Sequence, residues 1–439
     1  MLKYLTLAML YFGCGHTYAQ GLFEDAVITS QDAGLAVETR YELNGFVRGL
    51  YFGGKVPNED DAETKSVYGE MSLEIAAQKG SAGRGYTEFR IRKGSEFNET
   101  TLEYSLREAY VDTYLGGWYV RFGQQIVVWG RADGINPTNN ITPMNMVIRS
   151  PEEDDRREGN FLVKTNYVFR PCRLEMIWIP TYRASVLPLE HVELPEGIVL
   201  AENDSPNADI SHGAFAMKLN IEKASFDGSV SYFNGYNPLP GLCAEVTDQN
   251  IAIVPTAYRM QIIGADFSTS CGPYGLRGEL AYRYPAEDHL MVKHVPNPDL
   301  QYVFGIDRSH GDFSLIVQYL GRYVWDYSHL EEPVSAEGCL GHELEIYNRM
   351  FFSQLEEMTH SISFRPSWSL FHETLDAEIL GMYNLATEET YLKPKVSYDL
   401  VDDVTVTAGG ELYAGPDDTL YGLLDTRMSA VFVECKTSF

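Results

Sequence analysis

The sequence predicts an all-β protein: a transmembrane up-and-down antiparallel β-barrel of about 18 strands, or about 16 as the alternative. Three observations predict it. The last residues alternate, with Val431, Val433, Cys435, Thr437 and Phe439 on one face and Glu434, Lys436 and Ser438 on the other, as a strand between lipid and an aqueous lumen must. After residue 20 no apolar run reaches the roughly 18 residues a membrane helix needs, so an exported chain that spans a bilayer does so as a closed barrel. Connections between alternating segments swing between very short and long, as in a barrel with short periplasmic turns and long extracellular loops.

Residues 1–19 read as a signal peptide, with Lys3 as the basic region, an apolar run from Tyr4 to Phe12, and Thr17-Tyr18-Ala19 before Gln20 as the cleavage site. Gly13-Cys14 offers a weaker lipoprotein site, because Tyr11 stands where Leu is usual. Residues 20–38 form a periplasmic N-terminal segment too short for a plug domain, and residues 39–439 the barrel. Its expected location is the bacterial cell outer membrane. Phe439 has the character of the terminal aromatic that such barrels show to their assembly machinery. It is therefore the expected assembly signal, and the barrel-assembly machinery and outer-membrane lipid are expected partners.

Period-2 segments place the strands, in order, near 39–53, 66–78, 84–93, 101–115, 118–130 and 159–169, then 172–182, 212–223, 226–236, 258–269, 274–284 and 301–309. The last six fall near 312–325, 358–369, 373–384, 389–399, 403–414 and 428–439. Short turns stand at Gly116-Gly117, Arg170-Pro171, Ala224-Ser225, Ser270 to Pro273, His310-Gly311 and Phe371-His372. Long connections stand at 131–158, 183–211, 237–257, 285–300 and 326–357, while 94–100 and 385–388 are of intermediate length. A lumen of this size is wide enough for water unless loops fill it; 131–158, 183–211 and 326–357 are the loops expected to do so.

Tyr 29, Phe 21 and Gly 38 suit aromatic girdles and tight turns. Of the five cysteines beyond the signal, Cys243 and Cys339 lie in outer loops and form a candidate pair, Cys172 and Cys271 adjoin turns, and Cys435 sits on the lipid face. Net charge is −28, yet the strands' polar faces interleave acids such as Glu70, Glu88, Glu175 and Glu378 with bases such as Arg48, Lys164, Lys218 and Lys395. Roughly 35 acids and roughly 10 bases fall in the outer loops, which assigns the excess acidity to the rim rather than the wall. Runs such as Glu59-Asp60-Asp61 and Glu152-Glu153-Asp154-Asp155 exemplify it.

The least generic segment is Arg121-Phe122-Gly123-Gln124-Gln125-Ile126-Val127-Val128-Trp129-Gly130-Arg131-Ala132-Asp133-Gly134-Ile135-Asn136-Pro137, continuing through Thr138-Asn139-Asn140-Ile141-Thr142-Pro143-Met144-Asn145. With Leu106 to Asp112 before it, this resembles a family of uncharacterised, porin-like bacterial outer-membrane β-barrels marked by a Trp-Gly-x-Ala-Asp-Gly-x-Asn-Pro loop. Further echoes are Glu153 to Arg157, Trp178-Ile179-Pro180, Ser185 to Pro188, Gly264 to Phe267 and Leu276 to Glu279. The resemblance covers about half of the chain in pieces and implies the barrel fold without an activity. Asp is common in that family where this chain has Asn139 and Asn145, which weakens any case for metal or acid/base chemistry in the loop.

Asn-Pro and Thr-Pro steps stiffen residues 131–149, and Asn side chains bond back to nearby backbone. The loop is expected to fold into the barrel as a constriction, hinged near Trp129 and Arg131 and anchored by Arg107, Glu108 and Arg121. Asp133, Arg90, Arg92, Arg277 and Glu279 complete the candidate constriction residues. No Gly-x-Ser-x-Gly elbow, phosphate loop or His-Glu-x-x-His motif occurs, and the histidines are scattered, so no enzyme, cofactor, metal or nucleic-acid partner is expected. The first functional reading is an outer-membrane channel for small solutes. A fatty-acid-type transporter is the second, on the apolar stretch Ile251 to Val254 and on Met144 to Met146. A surface-exposed adhesive barrel without transport is the third. Monomer and trimer both remain open.

Overall fold

In the computed structural model, residues 39–56, 61–80, 83–96, 99–187, 198–207, 209–246, 251–330 and 336–439 are described. The signal peptide and the segment 20–38 lie outside them. The barrel strands are β1 Thr39–Lys55, β2 Ala62–Lys79, β3 Gly83–Glu96, β4 Glu99–Leu115, β5 Trp118–Gln125 and β6 Asn160–Phe169. They continue as β7 Cys172–Ile179, β8 Ala214–Lys223, β9 Phe226–Tyr236, β10 Arg259–Cys271, β11 Tyr274–Pro285 and β12 Asp299–His310. The last are β13 Phe313–Val324, β14 Met358–Leu370, β15 Leu375–Asn384, β16 Thr390–Val401, β17 Val404–Ala414 and β18 Ala430–Ser438.

These form one 18-stranded sheet that closes on itself where β18 pairs with β1, Phe46 opposite Ser438 and Gly53 opposite Val431. Closure removes both sheet edges. The terminal residue takes part, because Phe439 and Gly45 exchange two backbone hydrogen bonds of 2.9 Å. A Cβ on Gly45 would lie 2.8 Å from the Phe439 ring, so only glycine leaves the ring its seat.

Alternation sorts the faces as the pattern requires. Val431 and Val433 are exposed on the outside, while Phe432 and Glu434 are buried inside. Arg107 and Glu108 depart from it: adjacent residues of a strand point to opposite faces. A bulge pairs Glu88 with Glu108 and Phe89 with Leu106, leaving Arg107 as the extra residue and letting both side chains meet inward groups.

Tight turns such as 116–117, 224–225 and 272–273 join the strands at one end, and Gly116 and Gly272 supply the left-handed backbone two of them need (φ +63° and +60°). The other end carries the long connections. Two predicted strands prove shorter, for one reason. β5 stops at Gln125 rather than residue 130, and β7 at Ile179 rather than 182, because the chain leaves the wall there and turns into the lumen.

Structure appears in the outer loops that period-2 reading did not anticipate. Helix α1 spans Ala336–Phe351 and α2 spans Leu420–Met428. Strands 198–200, 241–246 and 251–256 form a separate three-stranded sheet. These pieces bury a shared apolar cluster, including Leu242, Ile253, Tyr347, Phe351 and Leu424, against Leu380, Tyr391 and Tyr413 of the wall. The stretch Ile251 to Val254 is therefore a strand of this outer cap. Cys243 carries a free thiol, and the side chain of Cys339 lies outside the described residues.

Ile263, exposed on the outer face in mid β10 between Tyr232 and Tyr282, tests the orientation. Replacing it with Arg is expected to lower folding stability in lipid vesicles by about 2–4 kcal/mol, well beyond the cost of Ala. Equal costs would place residue 263 away from lipid.

Candidate functional site

The connection from β5 to β6, residues 126–159, crosses the lumen from wall to wall. Its departure is set locally. Gly123 has φ +134° and packs where a Cβ would lie 2.3 Å from the Ala109 carbonyl, and the Ile126 N–H leaves the ladder to donate to Glu108 (2.8 Å). Trp129 is buried and donates from Nε1 to Glu175 (2.7 Å), with Lys218 5.6 Å from its ring. Gly130 follows at φ +109°, where a Cβ would strike the Asn136 side chain at 2.5 Å. The Trp-Gly pair thus combines a wall anchor with a reversal that only glycine permits.

The first docking face lies on β10 to β14. Glu279 accepts from the backbone N–H groups of Arg131 (3.2 Å), Ala132 (3.3 Å) and Thr138 (2.9 Å), and from the Thr138 hydroxyl (2.6 Å). Arg131 pairs with Asp266 (2.6 Å), and Arg277 donates to the Arg131 carbonyl while pairing with Asp307 (2.7 Å). Asp133 accepts from Arg365 (2.9 Å), and its backbone exchanges two 2.8 Å hydrogen bonds with the Gln318 amide. Thr138 rests where a Cβ on Gly264 would meet it at 2.5 Å.

The second face stands half-way round the circle of strands, on β1 to β4 and β16 to β18. Asp155 pairs with Arg48 (2.6 Å), Arg90 (2.7 Å) and Arg107 (3.6 Å), and Glu70 bridges Arg48 and Arg92 (2.7 and 2.6 Å). Glu434 joins through Arg48 (3.2 Å), so the closing strand belongs to the same network. Glu152 reaches Lys395 (2.9 Å), and Arg156 pairs with Glu153 (3.0 Å) beside the buried Lys393–Glu411 pair (3.0 Å). Burial alone would raise Asp155, but the three guanidiniums outweigh it and hold its carboxyl well below the usual carboxylate range. Burial pushes Glu153 upward against the pull of Arg156.

Between the faces the loop packs on apolar wall. Val127, Trp129 and Ile141 join Leu162, Ile177, Phe233 and Met260, so the β6 to β11 side of the lumen is filled with side chains rather than water. Among the described residues, two chambers lie between the loop and the outer cap. One, about 200 Å³, is lined by Asn136, Asn140, Met144, Arg283, Asp299 and Phe352 among others. The other, about 110 Å³, is mostly apolar, with Ile135, Pro137, Val303, Leu320, Leu355 and Met382. Among the described residues no group of three or more His, Cys, Asp or Glu is placed to hold a metal ion.

This architecture recurs among solved structures. Acinetobacter baumannii OccAB1 aligns with a TM-score of 0.56 at 9% identity, covering 91% of this chain and 96% of that one. Pseudomonas aeruginosa OccK9 (OpdG) gives 0.54 at 9%, covering 91% and 97%. OccK3 (OpdO) of the same species gives 0.53 at 9%, covering 91% and 95%. The chain has the fold of outer-membrane porins. Neither a family model nor a curated protein sequence matches it. At this identity the likeness is one of fold.

The candidate residues fall into two groups and one outlier. Trp129, Arg131, Asp133, Arg277 and Glu279 meet around the first face; Arg90, Arg92 and Arg107 meet around the second; Glu108 holds the departure point. Arg121 anchors nothing in the loop. It pairs with Asp112 (2.6 Å) and lies over the Tyr110 ring (3.8 Å), because both neighbours are directly within reach in its own sheet. The run Glu152 to Asp155 is likewise corrected from rim to interior: the wall's Lys395 pairs with Glu152 and its arginines with Asp155, while the loop's own Arg156 and Arg157 pair with Glu153 and Asp154. Sequence reading missed Asp155, Gln318 and Arg365 as docking residues. The acidic run Glu152 to Asp155 followed directly by Arg156-Arg157 was the available signal.

Glu279→Leu is expected to strip four donors of their acceptor and loosen residues 131–138, destabilising the docked loop by about 2–5 kcal/mol. Faster hydrogen exchange confined to that stretch is the readout; unchanged exchange would remove Glu279 from the dock. Because Asp155 titrates below its ordinary value, its contribution to docking is fully present above about pH 4 and is lost as pH falls through the depressed value. The excess protection of residues 148–157 over that in Asp155→Asn, corrected for intrinsic rates, should therefore stay constant from neutrality to about pH 4 and fall only in stronger acid.

Proposed function

We propose that the protein is a channel for small solutes across the bacterial outer membrane, with loop 126–159 as the element that narrows it. The observation that carries this is the double docking. A carboxylate on β11 and an arginine cluster on β1 to β4 hold one loop across an 18-strand lumen, leaving compact chambers lined by polar and apolar side chains. Loops of this kind select by size and by the groups they present. The Occ relatives in fold support the reading, as does the Trp-Gly-x-Ala-Asp-Gly-x-Asn-Pro resemblance, in which Trp129, Gly130, Asp133 and Asn136 each have a role in shaping the loop. The reading is of a non-enzymatic protein, with Phe439 as its assembly signal.

The fatty-acid-type alternative loses its two sequence supports. Ile251 to Val254 belong to the cap sheet, and Met144 to Met146 are tied to residues 185–186 by backbone hydrogen bonds or sit beside asparagines in the mixed chamber.

Purified protein in planar bilayers should give small, stable unitary conductance steps. Glu279→Leu and Asp155→Asn, each freeing one end of the loop, should enlarge the steps or make them flicker. Absence of any opening in all three proteins would sink the channel reading in favour of a closed surface barrel.

A further inference from the structure

The loop segment 134–137 is a partition. Gly134 and Asn136 line the larger, mixed chamber, whereas Ile135 and Pro137 line the smaller, apolar one. Successive residues thus face opposite sides. The segment is held in place from both ends, by Asp133 on Arg365 and Gln318 and by Thr138 on Glu279. Arg322 and Ser353 line both chambers, so the two spaces abut there. Arg322 is itself fixed, donating to the carbonyls of Phe352 and Ser353 and standing 3.6 Å from Asp299.

We propose that the paired chambers form one binding site for an uncharged amphipathic solute, with a ring or short alkyl group beside Ile135 and Leu320 and a hydroxyl- or amide-bearing part beside Asn136 and Asn140. Size and chemistry support each half. The apolar chamber, about 110 Å³, approaches the roughly 150 Å³ apolar cavity that takes a benzene ring. The mixed chamber holds several side-chain amides, which give and accept hydrogen bonds equally well, and methionine and phenylalanine walls that adapt to irregular shapes.

Its charges already have partners. Glu153 is paired with Arg156, Arg157 with Asp154, and Asp299 lies between Arg283 (4.0 Å) and Arg322 while accepting from Gln301 and Gln354. An ionised solute entering there would lose water and have to compete with these pairs for its counter-ion, whereas a hydroxyl or amide exchanges water for side-chain hydrogen bonds.

The proposal deepens the channel reading and rests on it for the solute's passage, but binding is measured without conduction. Full-length protein in lipid nanodiscs would be titrated by calorimetry with phenyl β-glucoside, methyl β-glucoside and phenyl β-glucuronide. Phenyl glucoside is expected to bind at least tenfold more tightly than methyl glucoside, which lacks the ring, and more tightly than the glucuronide, which adds a carboxylate. Ile135→Asn should erase the advantage of the ring, and Asn136→Leu should weaken both glucosides while preserving their ratio. Equal binding of the two glucosides, or an unchanged ratio in Ile135→Asn, would overturn the two-part site. Tighter binding of the glucuronide would overturn the uncharged class. Conductance steps without glucoside binding would refute the site and leave the channel; binding without conductance would do the reverse.

Discussion

Asp155 buried among Arg48, Arg90 and Arg107 is the contact on which the interior depends. A carboxylate removed from water is costly unless opposite charge surrounds it, and three guanidiniums in that setting are no less costly without it. The loop and the wall therefore specify each other: undocking strips Arg48, Arg90 and Arg107 of the carboxylate they share inside the lumen. Because Glu434 of the closing strand shares Arg48, the same network also spans the seam where the barrel closes. At the opposite wall Glu279 does comparable work with a different partner type, since it receives backbone N–H groups instead of cations.

This arrangement changes what the acidity of the chain means. A net charge of −28 invites the picture of a negative pore, yet inward acids such as Glu70, Asp155, Asp266 and Glu411 are paired with arginine or lysine. Loop carboxylates Glu152 and Asp155, grouped by sequence with the rim, are counter-ions of the wall. Another side of the lumen is largely apolar, with Trp129, Ile141, Leu162 and Ile177 packed as a core. What remains open is a small, partitioned space under a folded cap. A selective filter is a better description of it than a wide aqueous pore.

Much of this was legible as parts. The segments Trp129 to Pro137, Gly264 to Phe267, Leu276 to Glu279 and Glu153 to Arg157 stood out as specific but scattered pieces. In the structure they are one object, the loop and its two docks, with Gly264 seating Thr138 and Asp266 taking Arg131. Their meeting was not readable because it depends on which strands lie opposite in the closed circle. Helices α1 and α2 were missed for a related reason: short amphipathic segments inside loops acquire stability from the cluster they cover.

The sequence by itself determined the barrel and a count of about 18 strands, with about 16 as the alternative, because lipid on one side and water or polar groups on the other impose a two-residue alternation that each strand displays locally. It also determined where the specific loop begins, since Trp129, Gly130 and the Asn-Pro step are local devices. Only the tertiary structure decided that Asp155 is a buried node and not a rim charge, that Arg121 serves the wall alone, and that Ile135 and Asn136 face different chambers. Those outcomes depend on the three-dimensional distance between residues far apart in the chain. Alternation along a strand carries no record of that distance.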